Sequence, residues 1–406
     1  MKKFLALLLA LVMVIGLAAC GEPAGNESQA PASAPAGNSE APESGEPVAE
    51  GPELSADGRY PAETVKIGFV NYDTTAQQFL SLQDYFDYLD DYFNFEIMYS
   101  ESLDSAEAEF AFIEQCAAAG CQGIIGYYNE GREESVKLAS SLGMYYWGQG
   151  QDPNVQEACG DDPYYLGSYY VGNADYEYGK SVIDSLVAAD CHKIIVVTGG
   201  KDFGVQMFID RYQGMMDAIQ EAQDGGYDIE VVYEVPGWPG TEDFTAEQTS
   251  ALATDADGLA SALSALMWIQ PISAAGKMDS IKIAAVDTPT ADMVDLMASG
   301  LFVGVAAEIP DVFGLGVPMI INAVQGYGEE QRNEDGTAPL IDCGFWLITT
   351  AEEMEYYSEI EQEGGTWCFD ADDVRSILYD YNPELTLDDM SALYSAVTME
   401  EIQARR

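Results

Sequence analysis

The sequence predicts a two-lobed α/β protein in which each lobe is a doubly wound parallel sheet. Short, nearly continuous apolar segments alternate with amphipathic ones along residues 64–350. Strands buried on both faces, and the helices that cross over between them, produce this alternation. The pattern pauses near residues 171–173 and then starts again. About 345 residues follow the leader and linker, which is long for one core and suits two domains.

The first lobe is assigned to residues 64–171 together with 309–340, and it opens with the strand VKIGFV at 65–70. A helix is expected at 75–94, because apolar side chains recur there at spacings of three and four. These side chains are Phe79, Leu82, Phe86, Leu89 and Phe93. Further strands are expected at 95–99, 122–128 and 144–147, and further helices at 105–119 and 133–142.

The second lobe is assigned to residues 172–308 together with 341–406. Its strands are expected at 193–198, 229–233, 258–264, 281–286 and 302–307. Its helices are expected at 175–188, 205–222, 246–253, 291–299 and in a segment that ends at 275. Residues 315–324 read as a helix and 340–348 as extended chain. The tail from residue 351 is mostly helical and is expected to pack on this second lobe.

Residues 1–19 have the pattern of a bacterial export signal, with two lysines followed by an almost unbroken apolar stretch. The stretch is too short for a membrane span with proper flanks. It ends in Leu17-Ala18-Ala19-Cys20, which resembles a lipobox, so Cys20 is the expected lipidation site and membrane anchor. Residues 20–60 are rich in Gly, Pro, Ala, Ser and Glu and are predicted to be a disordered acidic linker. These features predict a protein held at the outer face of the cell membrane.

The charge balance excludes one class of partner. The chain has 16 Lys and Arg residues against 70 Asp and Glu residues, a formal net charge of -54. Such a surface repels nucleic acid and anionic lipid, so neither a nucleic-acid-binding role nor a polyanionic ligand is expected.

Six cysteines follow Cys20: Cys116, Cys121, Cys159, Cys191, Cys343 and Cys368. An even number in an exported protein permits disulfides, whose connectivity the sequence leaves open. A pair between Cys343 and Cys368 is one hypothesis, since both lie in the C-terminal segment. No zinc or other metal site is expected, because His192 is the only histidine and no C-x-x-C pair occurs.

The sequence carries no specific enzyme signature. A Ser-His-Asp or Cys-His arrangement would have to use His192, which sits directly before the strand at 193–198. The glycine-rich VTGGKDFG has the spacing of neither a P-loop nor a dinucleotide fingerprint, and no G-x-S-x-G occurs. We therefore expect a binding protein without a cofactor rather than an enzyme.

One segment carries a family resemblance. LGSYYVGNADYEYGKSVIDSL at 166–186 looks like the part of type I periplasmic binding proteins that leaves the first domain and begins the second. KIGFV, QGIIGYY, FIDRYQGMMDAI and IKIAAVD also occur in that family's order, and the resemblance covers about residues 64–350. Together with the lipobox, the chain is similar to the solute-binding lipoprotein of a sugar-type ABC importer from a Gram-positive cell. The resemblance implies two lobes joined by a hinge of three crossovers, with the ligand between them.

The resemblance, and the rule that ligands of open α/β sheets bind beyond the carboxyl ends of the strands, select candidate ligand-binding residues. They are Tyr72, Asp73, Tyr128, Asn129, Trp147, Gln149, Phe203, Arg211, Trp238, Trp268, Asp287 and Glu308. Arg211 and Asp287 match positions at which the family presents an arginine and an aspartate to the ligand. Glu308 stands where many members have glutamine, and the family's Asn-Asp pair near residue 264 is missing. Carboxylates, amides, Arg and aromatic faces still suit a sugar or related polyol.

Three functions follow as hypotheses. The first is a monomeric binding protein that captures a small solute and delivers it to the transmembrane subunits of an ABC permease. The second is a ligand-sensing lipoprotein that presents a signal molecule to a membrane receptor, and the third is a surface enzyme. The cytoplasmic repressors that share this fold are excluded by the export signal and by the absence of a basic helix-turn-helix.

Overall fold

The computed structural model describes residues 51–71, 73–126, 131–150, 153–170, 174–204, 206–307, 309–362 and 364–406. The predicted signal peptide, Cys20 and residues 20–50 of the predicted linker lie outside the described residues. Residues 51–406 form one compact unit. Within the described residues, no helix is long and apolar enough to cross a membrane.

The described chain contains twelve strands and fourteen α-helices. In chain order the strands are β1 (Tyr60–Val70), β2 (Phe93–Tyr99), β3 (Gly123–Gly126), β4 (Tyr145–Gly148), β5 (Tyr165–Tyr170), β6 (Lys193–Gly199), β7 (Glu230–Pro236), β8 (Gly258–Ser261), β9 (Lys282–Asp287), β10 (Phe302–Ala307), β11 (Leu340–Asp342) and β12 (Trp346–Ile348). The helices are α1 (Gln77–Asp90), α2 (Ala106–Ala119), α3 (Arg132–Ser141), α4 (Pro153–Cys159), α5 (Ala174–Ala188), α6 (Gln206–Asp224), α7 (Glu242–Leu252), α8 (Ile269–Ala274), α9 (Asp292–Ala298), α10 (Gly316–Asn322), α11 (Ala351–Ile360), α12 (Ala371–Ser376), α13 (Leu387–Ser395) and α14 (Met399–Arg405).

The strands form two six-stranded sheets, as the alternation in the sequence predicts. The first has the order β11-β5-β4-β3-β1-β2 and the second the order β12-β10-β9-β8-β6-β7. Every pairing is parallel except that of β12 with β10. The chain passes between the sheets three times: after β5, after β10 and between β11 and β12. The two-lobed fold with three crossovers is confirmed.

Local sequence explains the element boundaries. The Ser105 side chain accepts a hydrogen bond from the Ala108 backbone N–H and caps α2, which ends where Gly120 adopts the left-handed conformation (φ 80°). Four of the five predicted apolar side chains lie on α1 at 1 % exposure or less. The fifth, Phe93, is the first residue of β2, so the helix expected at 75–94 ends at Asp90. Helix α4 and strand β5 were not predicted, because neither has a strong apolar period. The extended segment expected at 340–348 is two strands, which belong to different sheets.

The C-terminal tail differs from the expectation that it packs on the second lobe. Helix α11 does so, against α9. The residues after it contact the first lobe: the Trp367 ring lies 5.2 Å from that of Tyr85, and Tyr60 Oη donates to Asp380 at 2.7 Å. Aromatic side chains of α1 and β1 would otherwise be exposed, so burying them favours this placement.

The six cysteines after Cys20 are all buried in the structure, which joins none of them in a disulfide. The hypothesised Cys343–Cys368 pair is therefore not present. Instead, Cys343 Sγ lies 3.5 Å from the carbonyl oxygen of Ile341, and the Cys368 backbone N–H donates to Glu361.

Candidate functional site

The carboxyl ends of β1 and β4 present amide side chains that the fold leaves incompletely bonded. Asn71, directly after β1, is fully buried; its Oδ1 accepts from the Asp73 backbone N–H at 3.2 Å, whereas its Nδ2 has no partner. Gln149, directly after β4, donates from Nε2 to the carbonyl oxygen of Phe313 at 2.9 Å, whereas its buried Oε1 has no partner. A buried amide with an unused donor or acceptor costs free energy unless a further partner arrives.

Asp73 has a local role in the structure. Its Oδ1 accepts from Thr75 N at 2.9 Å and from Thr75 Oγ1 at 2.7 Å, and these bonds lower the pKa of the Asp73 carboxyl. This turn leads the chain from β1 into α1.

In the second lobe, Arg211 is buried on α6 and held from two sides. Its Nε donates to Asp175 Oδ1 at 2.8 Å and its guanidinium donates to the carbonyl oxygen of Ala262 at 2.9 Å. The rings of Tyr178 and Phe208 lie 5.6 and 5.7 Å from the guanidinium carbon. The charge is therefore fixed in direction near the carboxyl end of β8.

Asp287 is the last residue of β9 and is 7 % exposed. Its Oδ2 accepts from the Ala265 backbone N–H at 3.2 Å, which ties this strand end to the chain after β8. Three residues further on, the hydroxyl of Thr290 is buried without a partner. A charged acceptor and an unused hydroxyl thus lie close together in the sequence beyond β9.

The three predicted tryptophans differ in exposure. Trp238, in the loop after β7, is 49 % exposed and packs edge-on against Phe208 at 5.7 Å. Trp147 and Trp268 are fully buried, which differs from the expectation that they face a cleft. Trp147 packs so closely on α10 that a Cβ on Gly316 would lie 2.7 Å from its ring, and Trp268 packs edge-on against Phe244. Strand β4 directs Trp147 into the core, and a short 3-10 turn directs Trp268 likewise.

Several predicted residues cannot be placed. Tyr72, Tyr128, Asn129 and Glu308 lie outside the described residues. Phe203 ends the 3-10 turn Gly200–Phe203 after β6, and only its backbone is described.

The structure adds residues that the sequence did not single out. Asn71, Thr290 and Ser168 carry buried polar atoms without partners, and their only signal in the sequence is a position in or just after a strand. Arg132 is also buried and donates to the carbonyl oxygen of Gly150 at 3.1 Å, beside Gln149. Glu109 is also fully buried and interacts with Arg132. Desolvation raises the pKa of the Glu109 carboxyl to about 7, although the positive charge of Arg132 acts to lower it.

No model of a known protein family matches the chain, and no curated protein matches it. Solved structures do. A periplasmic sugar-binding protein from Pseudomonas fluorescens has a TM-score of 0.60 at 13% identity, covering 84% of this chain and 99% of that one. An ABC transporter periplasmic solute-binding protein from Actinobacillus succinogenes 130z with bound D-allose has a TM-score of 0.56 at 17% identity, covering 72% and 100%. One from Bacillus halodurans C-125 with bound myo-inositol has a TM-score of 0.55 at 17% identity, covering 72% and 97%.

The chain has the type I periplasmic-binding-protein fold.

In the type I periplasmic-binding fold, as in other open α/β sheets, the ligand region lies beyond the carboxyl ends of the strands. Six of the side chains described above lie at or just beyond such strand ends, or on the helices that follow them. They are the unpartnered groups of Asn71, Gln149 and Thr290, the charged groups of Arg211 and Asp287, and the exposed ring of Trp238. Among the residues that the structure describes, no group of three or more His, Cys, Asp or Glu side chains is placed to hold a metal ion.

Proposed function

We propose that this chain is an extracytoplasmic solute-binding protein that holds a sugar or related polyol between its two lobes and delivers it to an ABC importer. The observation that carries the proposal is the set of buried, unpartnered polar atoms at strand ends of both sheets. Asn71 offers a donor, Gln149 an acceptor and Thr290 a hydroxyl that can act as either. A ligand rich in hydroxyl groups satisfies all three kinds of atom at once.

The remaining chemistry of the region suits the same ligand. Arg211 and Asp287 are charged groups held in fixed directions, and charge-assisted hydrogen bonds to hydroxyls are stronger than neutral ones. The exposed ring of Trp238 offers an apolar face to the C–H groups of a sugar ring. The predicted residues outside the described chain, Tyr72, Tyr128, Asn129 and Glu308, remain part of the proposed site.

The similar structures support this choice of ligand class. Two of them hold D-allose and myo-inositol, and a third is an arabinose transporter component bound to L-arabinofuranose. Because identity to them is 16–17%, they support a polyol in general and not one particular sugar.

The proposed attachment and partners follow from the sequence. A lipid on Cys20 and the linker up to residue 50 would tether the folded body, which begins at residue 51, to the outer face of the membrane, next to the transmembrane subunits of a permease. A sensor that presents the same ligand to a membrane receptor would use the same site. Uptake of the identified ligand by cells that lack this chain distinguishes the two functions. Loss of uptake supports the importer, and unchanged uptake supports the sensor.

A thermal-shift screen of residues 51–406 against sugars and polyols, with amino acids and nucleosides as contrasts, tests the ligand class. A compound that binds only the folded protein raises its melting temperature. We expect a rise with a sugar or polyol. A rise with amino acids or nucleosides only would contradict the proposal, and so would no rise with any of the sugars and polyols.

Thr290→Val then tests the site without disturbing the fold, because the Thr290 hydroxyl has no partner to lose. Affinity for the identified ligand should fall by about 3- to 10-fold, the loss of one hydrogen bond, while stability stays equal or rises. Ser358→Ala on α11 is the matched control, since it removes another buried, unpartnered hydroxyl away from the strand ends. Equal affinity of Thr290→Val and wild type, measured by calorimetry, would place the ligand elsewhere.

A further inference from the structure

The described residues of the C-terminal segment 361–406, which leave out residue 363, contact both of the described connections between the two sheets. We call this segment the strap. It begins at the end of α11, whose helix packs on α9 of the second lobe, and it continues over α1 of the first lobe. The third connection, near residues 171–173, lies outside the described residues.

At the connection after β10, the strap bonds the segment that enters the first lobe. Asp311 Oδ2 accepts from the Phe369 backbone N–H at 2.8 Å, and the carbonyl oxygen of Phe369 accepts from Tyr85 Oη at 2.9 Å. Asp311 is fully buried and lies four residues after the end of β10. The strap thus links this connection to α1.

At the connection between β11 and β12, the strap makes three hydrogen bonds with two residues. The Gly344 backbone N–H donates to the carbonyl oxygen of Tyr394 at 2.9 Å, the Asp342 N–H donates to Ser391 Oγ at 3.1 Å, and Ser395 Oγ donates to the Asp342 carbonyl oxygen at 3.3 Å. The fit leaves no space for a side chain, because a Cβ on Gly344 would lie 2.4 Å from the carbonyl oxygen of Ser395.

The last two residues of the chain form hydrogen bonds and an ion pair with the beginning of the strap. Arg406 donates to the carbonyl oxygen of Trp367 at 2.7 Å and forms an ion pair with Asp370 at 2.6 Å, and Arg405 donates to the carbonyl oxygen of Cys368 at 2.9 Å. Helix α14 also contacts α11, so the strap is attached to both lobes.

Near the start of the strap, the packing of Trp367 offsets the strain of its backbone conformation. Trp367 has φ 59°, a left-handed conformation that is costly for a bulky residue. The ring is fully buried against Tyr85 and Tyr88, at 5.2 and 6.2 Å between ring centroids. Burial of this ring stabilises the conformation.

We propose that the strap restricts hinge opening of the two lobes by holding two of their three connections. Hinge motion is absorbed by backbone rotation in a few residues of the connecting segments. Rotation at Gly344 or near Asp311 breaks the hydrogen bonds described above and pulls the strap from one lobe. The inference depends on the fold and these contacts, and not on the identity of the ligand.

Spin-label distance measurements on residues 51–406 test the proposal. Labels at Glu114→Cys on α2 and Gln220→Cys on α6 report the separation of the lobes, and the six native cysteines are buried. We expect a single narrow distance distribution for the wild type. A wild-type distribution as broad as those of the loosened variants described next would overturn the proposal.

Two variants loosen the strap to different degrees. Ser391→Ala removes one hydrogen bond at a partly exposed site and leaves the core intact, and Gly344→Ala places a Cβ against Ser395. The control, Asp388→Ala, changes an exposed side chain on the same helix α13. Both loosened variants should broaden the distribution or add a longer distance, and the control should match the wild type.

Hydrogen exchange at the Gly344 amide reports whether the strap has been released. Ser391→Ala removes the acceptor of the Asp342 amide, so exchange at that amide is the readout for this variant. Loss of one hydrogen bond should speed exchange of the affected amide by about fivefold or more. An unchanged distance distribution in a variant whose Gly344 or Asp342 amide exchanges faster would overturn the proposal. Ser391→Ala keeps the test available if Gly344→Ala does not fold.

Discussion

Asp311 and Glu361 are two carboxyl groups buried against each other at the start of the strap. Each accepts a hydrogen bond from a strap backbone N–H at 2.8 Å, Asp311 from Phe369 and Glu361 from Cys368, and the other oxygen of each carboxyl is buried without a partner. Burial raises the pKa of both carboxyls. The titratable groups on neighbouring elements that interact with the pair are Tyr85, Tyr394 and Cys368, and Arg405 and Arg406 interact with Cys368 beside it. A proton held between the carboxyls avoids two adjacent buried negative charges.

This pair predicts that the free energy of unfolding falls as the pH rises. Because the folded-state pKa values are raised, the folded protein binds more protons than the unfolded chain between the ordinary carboxyl pKa of about 4 and the raised folded-state values. The stabilisation by these protons is complete below that pH and is lost as the pH rises through the folded-state values. Urea unfolding at intervals from pH 4 to pH 8 measures the slope.

Asp311→Asn should reduce this slope, because it removes one titrating group and keeps an acceptor for the Phe369 N–H. Part of the slope should remain, since burial also raises the pKa of Glu109, to about 7. Asp388→Asn on the surface should leave the slope unchanged. Identical slopes for Asp311→Asn and wild type would show that the pair does not exchange protons between the folded and unfolded states in this range.

Helices α5 and α6 illustrate how an element positions a site residue. A Cβ on Gly179 would lie 1.8 Å from the carbonyl oxygen of Arg211, and a Cβ on Gly214 would lie 1.9 Å from that of Tyr176. Only glycine permits the two backbones to approach this closely. The approach brings Asp175 on α5 within hydrogen-bond distance of Arg211 on α6.

Gly214→Ala should therefore destabilise the protein and misplace Arg211. Overpacking of this kind in a packed interface is expected to cost about 1–3 kcal/mol in the free energy of unfolding. Gly328→Ala is the matched control, since nothing lies within 3.8 Å of a Cβ there. Equal urea midpoints for the two variants would contradict this account of the helix contact.

At the scale of the whole molecule, the charge balance sets the response to salt. A formal net charge of -54 makes the folded surface repel itself, and dissolved ions screen this repulsion. We expect the melting temperature of residues 51–406 to rise between about 10 and 300 mM NaCl. A gain of about 1 kcal/mol corresponds to roughly 2–4 °C for a domain of ordinary size.

Repeating the titration at pH 4 is the control, because many carboxylates are then protonated and the rise should shrink. A melting temperature that falls with salt at neutral pH would mean that surface ion pairs, such as that of Lys66 with Glu96, outweigh the repulsion.

The sequence determined the local order of this protein. The apolar spacing of α1, the Ser105 cap and Gly120 termination of α2, and the apolar runs of β6 and β9 depend on neighbours in the chain, so the sequence predicts them directly. The pause and restart of the pattern predicted two lobes. The candidate site could be predicted only as a region, because strand ends are visible in the sequence and side-chain directions are not.

Only the tertiary structure decided which residues meet across long sequence separations. Trp147 and Trp268 are buried in it, whereas the Trp238 ring is exposed to solvent. It also shows that Asn71 and Thr290 carry buried atoms whose hydrogen-bonding capacity is unused. It also placed the tail across the connections rather than on the second lobe alone. The physical reason is that burial and hydrogen-bond satisfaction depend on every element that packs around a side chain, and this packing is not encoded in the residues next to it.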